Sequence, residues 1–167
     1  MCLAIYIGSD EPLPTNGPWD KDDPKFHVGG YPHFVRQDDE PILREHLKTQ
    51  FVAGTMTGIG CGCGFGYPSD EEIQSQCGDV QDANAQESVR YWKLCRQSVD
   101  DLREYLKRLI HGGRVARVLV TWEGDESMPP KQHLSVTPEF FGGDSFHLTE
   151  YTLYDVRSDG AANVTSE

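Results

Sequence analysis

Arg114-Val-Ala-Arg-Val-Leu-Val-Thr-Trp122 is the stretch on which the fold turns. Val118, Leu119 and Val120 form a nearly continuous apolar run, the pattern of a strand covered on both faces. Immediately upstream, Val89, Trp92, Cys95, Val99, Leu102, Leu106 and Leu109 recur at steps of three and four. Arg90, Lys93, Asp100, Glu104 and Lys107 lie opposite them, so a long amphipathic helix is expected from about Ala85 to His111. Gly112-Gly113 supplies its stop.

Working back toward the start, Phe51-Val-Ala-Gly-Thr-Met-Thr57 reads as a second strand, in which Gly54 marks a bulge or a close approach. Asp39 to Lys48 reads as a short helix with Pro41 near its start and Ile42, Leu43 and Leu47 on its apolar side. Cys2 to Gly8 is a further strand, and Phe26 to Gly30 a short one. The proline-rich, acidic run from Glu11 to Asp23 is a surface loop pinned by Trp19, and Gly29 to Pro32 contains a turn. Ser69-Asp-Glu-Glu72 is a capping box that opens a helix ending near Cys77, with Gly78 at its C-terminal stop.

Downstream, Pro129-Pro130 makes a turn and Thr137-Pro-Glu139 one helical turn. Ser145 to Thr149 and Tyr151 to Val156 read as antiparallel additions to the sheet. Strand, helix, strand, long helix, strand gives a βαβαβ outline with three parallel strands. The expected fold is α/β or α+β: one domain over residues 1–157, a mixed sheet of about five or six strands, and a flexible tail over 158–167. In a parallel sheet the carboxyl ends of the strands gather Asp10, the loop Gly58 to Gly66 and the Glu123-Gly-Asp-Glu126 turn at one edge.

Composition narrows the function classes. The net charge of −12 disfavours nucleic acid and anionic membrane surfaces, both of which are gripped by Lys and Arg. Basic residues outnumber acidic ones only between Arg90 and Arg117, as expected for a solvated helix face or an anion or partner site. No signal sequence or apolar span is read, so a cytoplasmic location is expected, with the five cysteines as thiols or metal ligands.

The chemically unusual stretch is Gly58-Ile-Gly-Cys-Gly-Cys-Gly-Phe-Gly66. Cys61 and Cys63, flanked by glycines, are the candidate metal ligands, with zinc or copper as the ion. The spacing lacks a second ligand pair, so the fold would have to recruit Cys77 and one of His27, His33, His46, His133 or His147. Three other readings stand beside this one: redox or nucleophilic thiols, an anion nest, or a glycine turn in which both cysteines merely pack. Neither a dinucleotide nor a P-loop spacing is present.

Cys2 is either a small buried strand residue or, were Met1 removed, an N-terminal nucleophile. Cys95 falls on the helix stripe and reads as a buried structural thiol. Glu123, Asp125 and Glu126 are general acid–base or hard-cation candidates, or simply solvated.

The run Gly60 to Phe65, taken with Thr121-Trp-Glu-Gly-Asp-Glu126 and Pro129-Pro130, resembles a group of small bacterial proteins of unassigned function. The resemblance implies that both runs belong to one domain, and it implies no activity. The sequence thus supports a thiol or soft-metal binding protein. The alternatives are a non-catalytic module for a protein partner or a homo-oligomer, with no nucleic acid or membrane role, and an enzyme using Cys2, Cys61 or Cys63.

Overall fold

A computed structural model describes residues 2–16, 20, 22, 24–29, 35–77 and 83–158. Trp19, Tyr31, Pro32, His33, Gly78 and the tail beyond Ser158 lie outside the described residues, as do the side chains of Gln76 and Cys77. The chain is a mixed α/β domain. It runs β1 (Leu3–Ser9), β2 (His27–Gly29), α1 (Glu40–Leu47), β3 (Phe51–Met56), β4 (Gly66–Tyr67), α2 (Asp70–Cys77) and α3 (Ala83–Leu109). β5 (Ala116–Trp122), β6 (Gln132–Val136), β7 (Phe146–His147) and β8 (Thr152–Val156) follow. Among the described residues, no helix is long and apolar enough to cross a membrane.

Six strands form one sheet in the order β2-β3-β1-β5-β8-β6, and β4 pairs with β7 in a separate two-stranded ribbon. β5 lies in the interior of the sheet and is buried along most of its length, as its apolar run requires. On one face Ile5, Ile7, Val118, Val120, Tyr154 and Val156 pack with Val99, Leu102 and Leu106 of α3. On the other, Tyr6, Leu119 and Leu153 meet Leu43 and Leu47 of α1. α3, 27 residues long, carries the expected stripe, and Cys95 on it is fully buried. The capping box forms as read, Ser69 N–H donating to Glu72 at 2.8 Å and Glu72 N–H to Ser69 Oγ at 3.3 Å.

The strand directions differ from the expected outline. β1 pairs antiparallel with both β3 and β5, and the one parallel pair is β6 with β8. The parallel expectation rests on the alternation of strands with helices, and the apolar run of β5 does not decide direction, because a helix on each face covers antiparallel strands equally well. β6 has no counterpart in the sequence reading, since Gln132 to Val136 lacks a clean apolar alternation. Ser145 to Thr149 contributes β7 to the small ribbon rather than to the main sheet.

This reversal decides what lies at each end of the sheet. Ser9 sits opposite Phe51 at the start of β3, whereas Leu3 sits opposite Trp122 at the end of β5. A seven-residue strand is about 23 Å long, so Asp10 is separated from the cysteine loop by the full length of β1. Asp10 therefore does not join the glycine loop. Cys2, just before Leu3, takes that place.

Candidate functional site

The glycine loop leaves the end of β3, makes one 3-10 turn over Gly62–Gly64, and enters β4. It lies directly on the start of β1. A Cβ on Gly62 would fall 2.0 Å from the Leu3 carbonyl oxygen, and one on Gly64 would fall 2.5 Å from Thr57 Oγ1. Gly62 is therefore required by the close approach of two backbones, and Gly64 by the Thr57 and Ile59 side chains of the same loop. The Thr57 hydroxyl donates to Cys61 O at 2.5 Å, and Phe65 is buried against Phe26 with ring centroids 5.9 Å apart. The loop is thus fixed at both ends.

This approach brings Cys2, Cys61 and Cys63 together, with all three Sγ atoms within 4.8 Å of one another. Cys2 and Cys63 are exposed and Cys61 is half-buried. Leu3 N–H donates to Cys63 Sγ at 3.3 Å, and Cys63 N–H donates to Cys61 Sγ at 3.1 Å. The two thiols of the loop differ electrostatically. Burial pushes the Cys61 thiol up, as does its hydrogen bond to Cys63, to about 12. Burial also pushes Cys63 up, but the Leu3 N–H and the Cys61 and Cys2 thiols outweigh it and hold Cys63 below the ordinary thiol value. Of the two loop thiols, Cys63 is the first to ionise.

The sequence reading had Cys61 and Cys63 as a pair in search of partners. Among the described residues, the group that reaches metal distance contains neither a histidine nor a carboxylate. Cys2 is exposed rather than a buried packing residue, and it is the third thiol of the group. Nothing in the residue pattern flagged it, because its arrival depends on the direction in which β1 pairs. The side chain of Cys77, the expected recruit, lies outside the described residues.

Behind the thiols a cavity of about 220 Å³ opens on the α1 face of the sheet, with Cys2 and Cys61 at one end and Arg36 and Glu126 in its wall. Ala4 and Tyr6 follow Cys2 at steps of two and so share its face, and Gly54, lacking a side chain, leaves room opposite Tyr6. Gly54 thus marks open space rather than a bulge.

Glu126 corrects the reading of the acidic turn as solvated, since it is only 3% exposed. It accepts from Tyr6 Oη at 2.9 Å, from Arg36 Nη2 at 3.1 Å and from Gly124 N–H at 3.0 Å. Burial of Tyr6 and the adjacent Glu126 charge hold the phenol protonated, well above its usual range. Asp125 accepts from Tyr151 Oη at 2.6 Å. Glu123 alone of the three is exposed, and its N–H donates to Cys2 O at 2.9 Å, which ties the turn to the thiol group.

No family model matches the chain, and comparison with curated proteins and with solved structures finds no match. The class is therefore defined by the fold and the site alone: a mixed α/β domain carrying a three-thiol cluster at one end of its central strands.

Proposed function

We propose that this protein binds a soft metal ion, zinc(II) or copper(I), through Cys2, Cys61 and Cys63. The supporting observation is the convergence of three sulfurs within 4.8 Å from two segments about sixty residues apart. An ion with metal–sulfur bonds of about 2.3 Å holds its sulfurs about 3.8 Å apart in a tetrahedron and about 4.0 Å apart in a plane. Closing the group onto an ion therefore needs shifts of less than about 1 Å, within the reach of χ1 adjustments. The Leu3 and Cys63 N–H groups, which donate to the Cys63 and Cys61 sulfurs, are the outer-shell donors that orient and stabilise thiolate ligands.

The test is elemental analysis and native mass spectrometry of the full chain purified without chelator and with any tag at the C-terminal end. One ion per chain is expected, and it is lost in Cys2→Ser, Cys61→Ser and Cys63→Ser. A metal-free protein that takes up neither zinc nor copper(I) overturns the reading.

A second reading rests on Cys63 alone. It is exposed and its thiolate is favoured by the Leu3 N–H, the combination that makes a nucleophilic or redox thiol. Alkylation of the metal-free protein as a function of pH tests it. A titration midpoint for Cys63 at or above the ordinary ~8.5 removes it.

A further inference from the structure

We propose that a divalent ion on the three thiols keeps a fourth coordination position open to the adjoining cavity, and that this position takes a small aminothiol. This rests on the metal-binding reading above. Structural zinc sites are closed by four protein ligands, while sites that act on a substrate keep three and leave one position free. Three thiols meet here, and among the described residues no histidine or carboxylate completes the group. Cys2 and Cys61 line the cavity, so a bound ion has space on that side.

The donor set then selects the class of fourth ligand. A divalent ion bound by three thiolates carries a net negative charge. It polarises water far less than the same ion on neutral imidazoles, where the bound water is acidified to about 7. Hydroxide generation is therefore disfavoured, and a soft sulfur donor is the better match for a sulfur-rich ion. A thiol R–SH binds as thiolate: the metal–sulfur bond forms, a coordinated water leaves, and the thiol proton passes to solvent.

The cavity wall selects the rest of the molecule. Its volume of about 220 Å³ suits a small molecule. Its charge is negative even with Arg36 in the wall, because Asp39 and Glu126 both pair with that guanidinium. Glu126 is saturated, accepting from Tyr6, Arg36 and Gly124. Glu123 differs: it lines the cavity, is exposed, and its backbone is tied to Cys2. A carboxylate in the wall of the same cavity receives an ammonium carried a few atoms from the ligand sulfur. An anionic thiol meets the repulsion of the ion-thiolate group, Glu123 and Glu126 together.

The experiment loads the full chain with cobalt(II), whose d–d and sulfur charge-transfer bands report the number of sulfurs bound. The loaded protein is titrated with cysteamine, 2-mercaptoethanol and mercaptoacetate. Four-sulfur spectra are expected on titration, with cysteamine binding tightest and mercaptoacetate weakest. Glu123→Gln is expected to retain cobalt and to lower the ratio of cysteamine to 2-mercaptoethanol affinity roughly two- to five-fold, as for a partly exposed ion pair. That ratio of ratios cancels the difference in thiol acidity.

Failure to bind cobalt or zinc overturns the inference, and failure to take up copper(I) as well overturns the metal site itself. A bound ion whose spectrum already shows four sulfurs, or is unmoved by thiols, overturns the inference and leaves the metal site standing. An unchanged ratio in Glu123→Gln overturns the choice of an aminothiol.

Discussion

Gly62→Ala is the substitution that most directly interrogates the meeting of the glycine loop with β1. The added Cβ would stand 2.0 Å from the Leu3 carbonyl oxygen and 2.9 Å from the Leu3 carbonyl carbon. Both are backbone atoms, so no side chain can swing aside. A carbon–oxygen contact relaxes at about 3.2–3.5 Å, which requires the loop to lift from β1 by about 1 Å or more. That displacement stretches the Leu3 N–H to Cys63 Sγ bond from 3.3 Å to beyond hydrogen-bond range. Overpacking of this kind costs about 1–3 kcal/mol, and in a chain of 167 residues each kcal/mol lowers Tm by about 2–4 °C. A fall in Tm of about 3–10 °C is expected in the metal-free protein, together with weakened zinc binding as Cys2 is separated from Cys61 and Cys63.

Gly112→Ala is the control, because Gly112 has φ +79 and a Cβ there meets nothing within 4 Å. It carries only the left-handed backbone penalty of about 1–2 kcal/mol and leaves metal affinity untouched. The assays are thermal melting in chelator and zinc competition against a chromogenic chelator. A Gly62→Ala protein that melts within 1 °C of the parent and holds zinc equally well refutes the packing of the loop on β1.

The other expectations concern the network behind the thiols, a charge pair and thiol reactivity. Glu126→Ala leaves Tyr6 Oη buried without its acceptor and Gly124 N–H unpaired. A loss of about 2–3 kcal/mol in urea unfolding is expected, against less than ~1 kcal/mol for Arg36→Ala, whose side chain is 64% exposed. Equal effects would contradict the assignment of Glu126 as the anchor.

Asp155 is pushed up by burial but held net below its ordinary value by the Arg117 hydrogen bond and charge and by His133. A depressed folded-state value means its contribution is complete above the unfolded carboxylate value of ~3.9 and is lost as pH falls through the folded value. Asp155→Asn should therefore flatten the acid limb of a stability–pH curve, and an unchanged slope below about pH 4 would count against it. In the metal-free protein iodoacetamide should modify Cys63 ahead of Cys61, at about 12, and of buried Cys95, at about 11, as read by peptide mass mapping. Earlier labelling of Cys61 or Cys95 would reverse the electrostatic order given to the group.

Local chemistry was legible in the sequence wherever a residue's neighbours in the chain determine its state. The capping box at Ser69 and Glu72, the stripe of α3 and the burial of Cys95 all depend on spacings of three and four within one element. Strand direction is a different kind of quantity. The Val118–Val120 run reports that β5 is covered on both faces, but two antiparallel neighbours with α1 and α3 above and below satisfy that as well as a parallel set. Glu126 was hidden for a related reason. Three acids in a turn look solvated until Tyr6, 120 residues away in sequence, is placed beside one of them.

Direction, once known, makes the thiol cluster a consequence of topology. With β1 antiparallel to β3 and β5, the entrance of β1 shares an end of the sheet with the exits of both neighbours. Cys2 precedes that entrance, the glycine loop follows one exit, and Glu123 follows the other. Had the three strands run parallel, Cys2 would stand about 23 Å from Cys61, and the pair Cys61–Cys63 would have no third sulfur. The glycines follow from the same arrangement. A loop that must lie across the first residues of β1 to reach Cys2 has no room for a Cβ at Gly62, since the Leu3 carbonyl occupies that space. The Cys-Gly-Cys step is thus one requirement expressed twice: the cysteines supply the sulfurs, and Gly62 between them lets the backbone come close enough to β1 for Cys2 to complete the group.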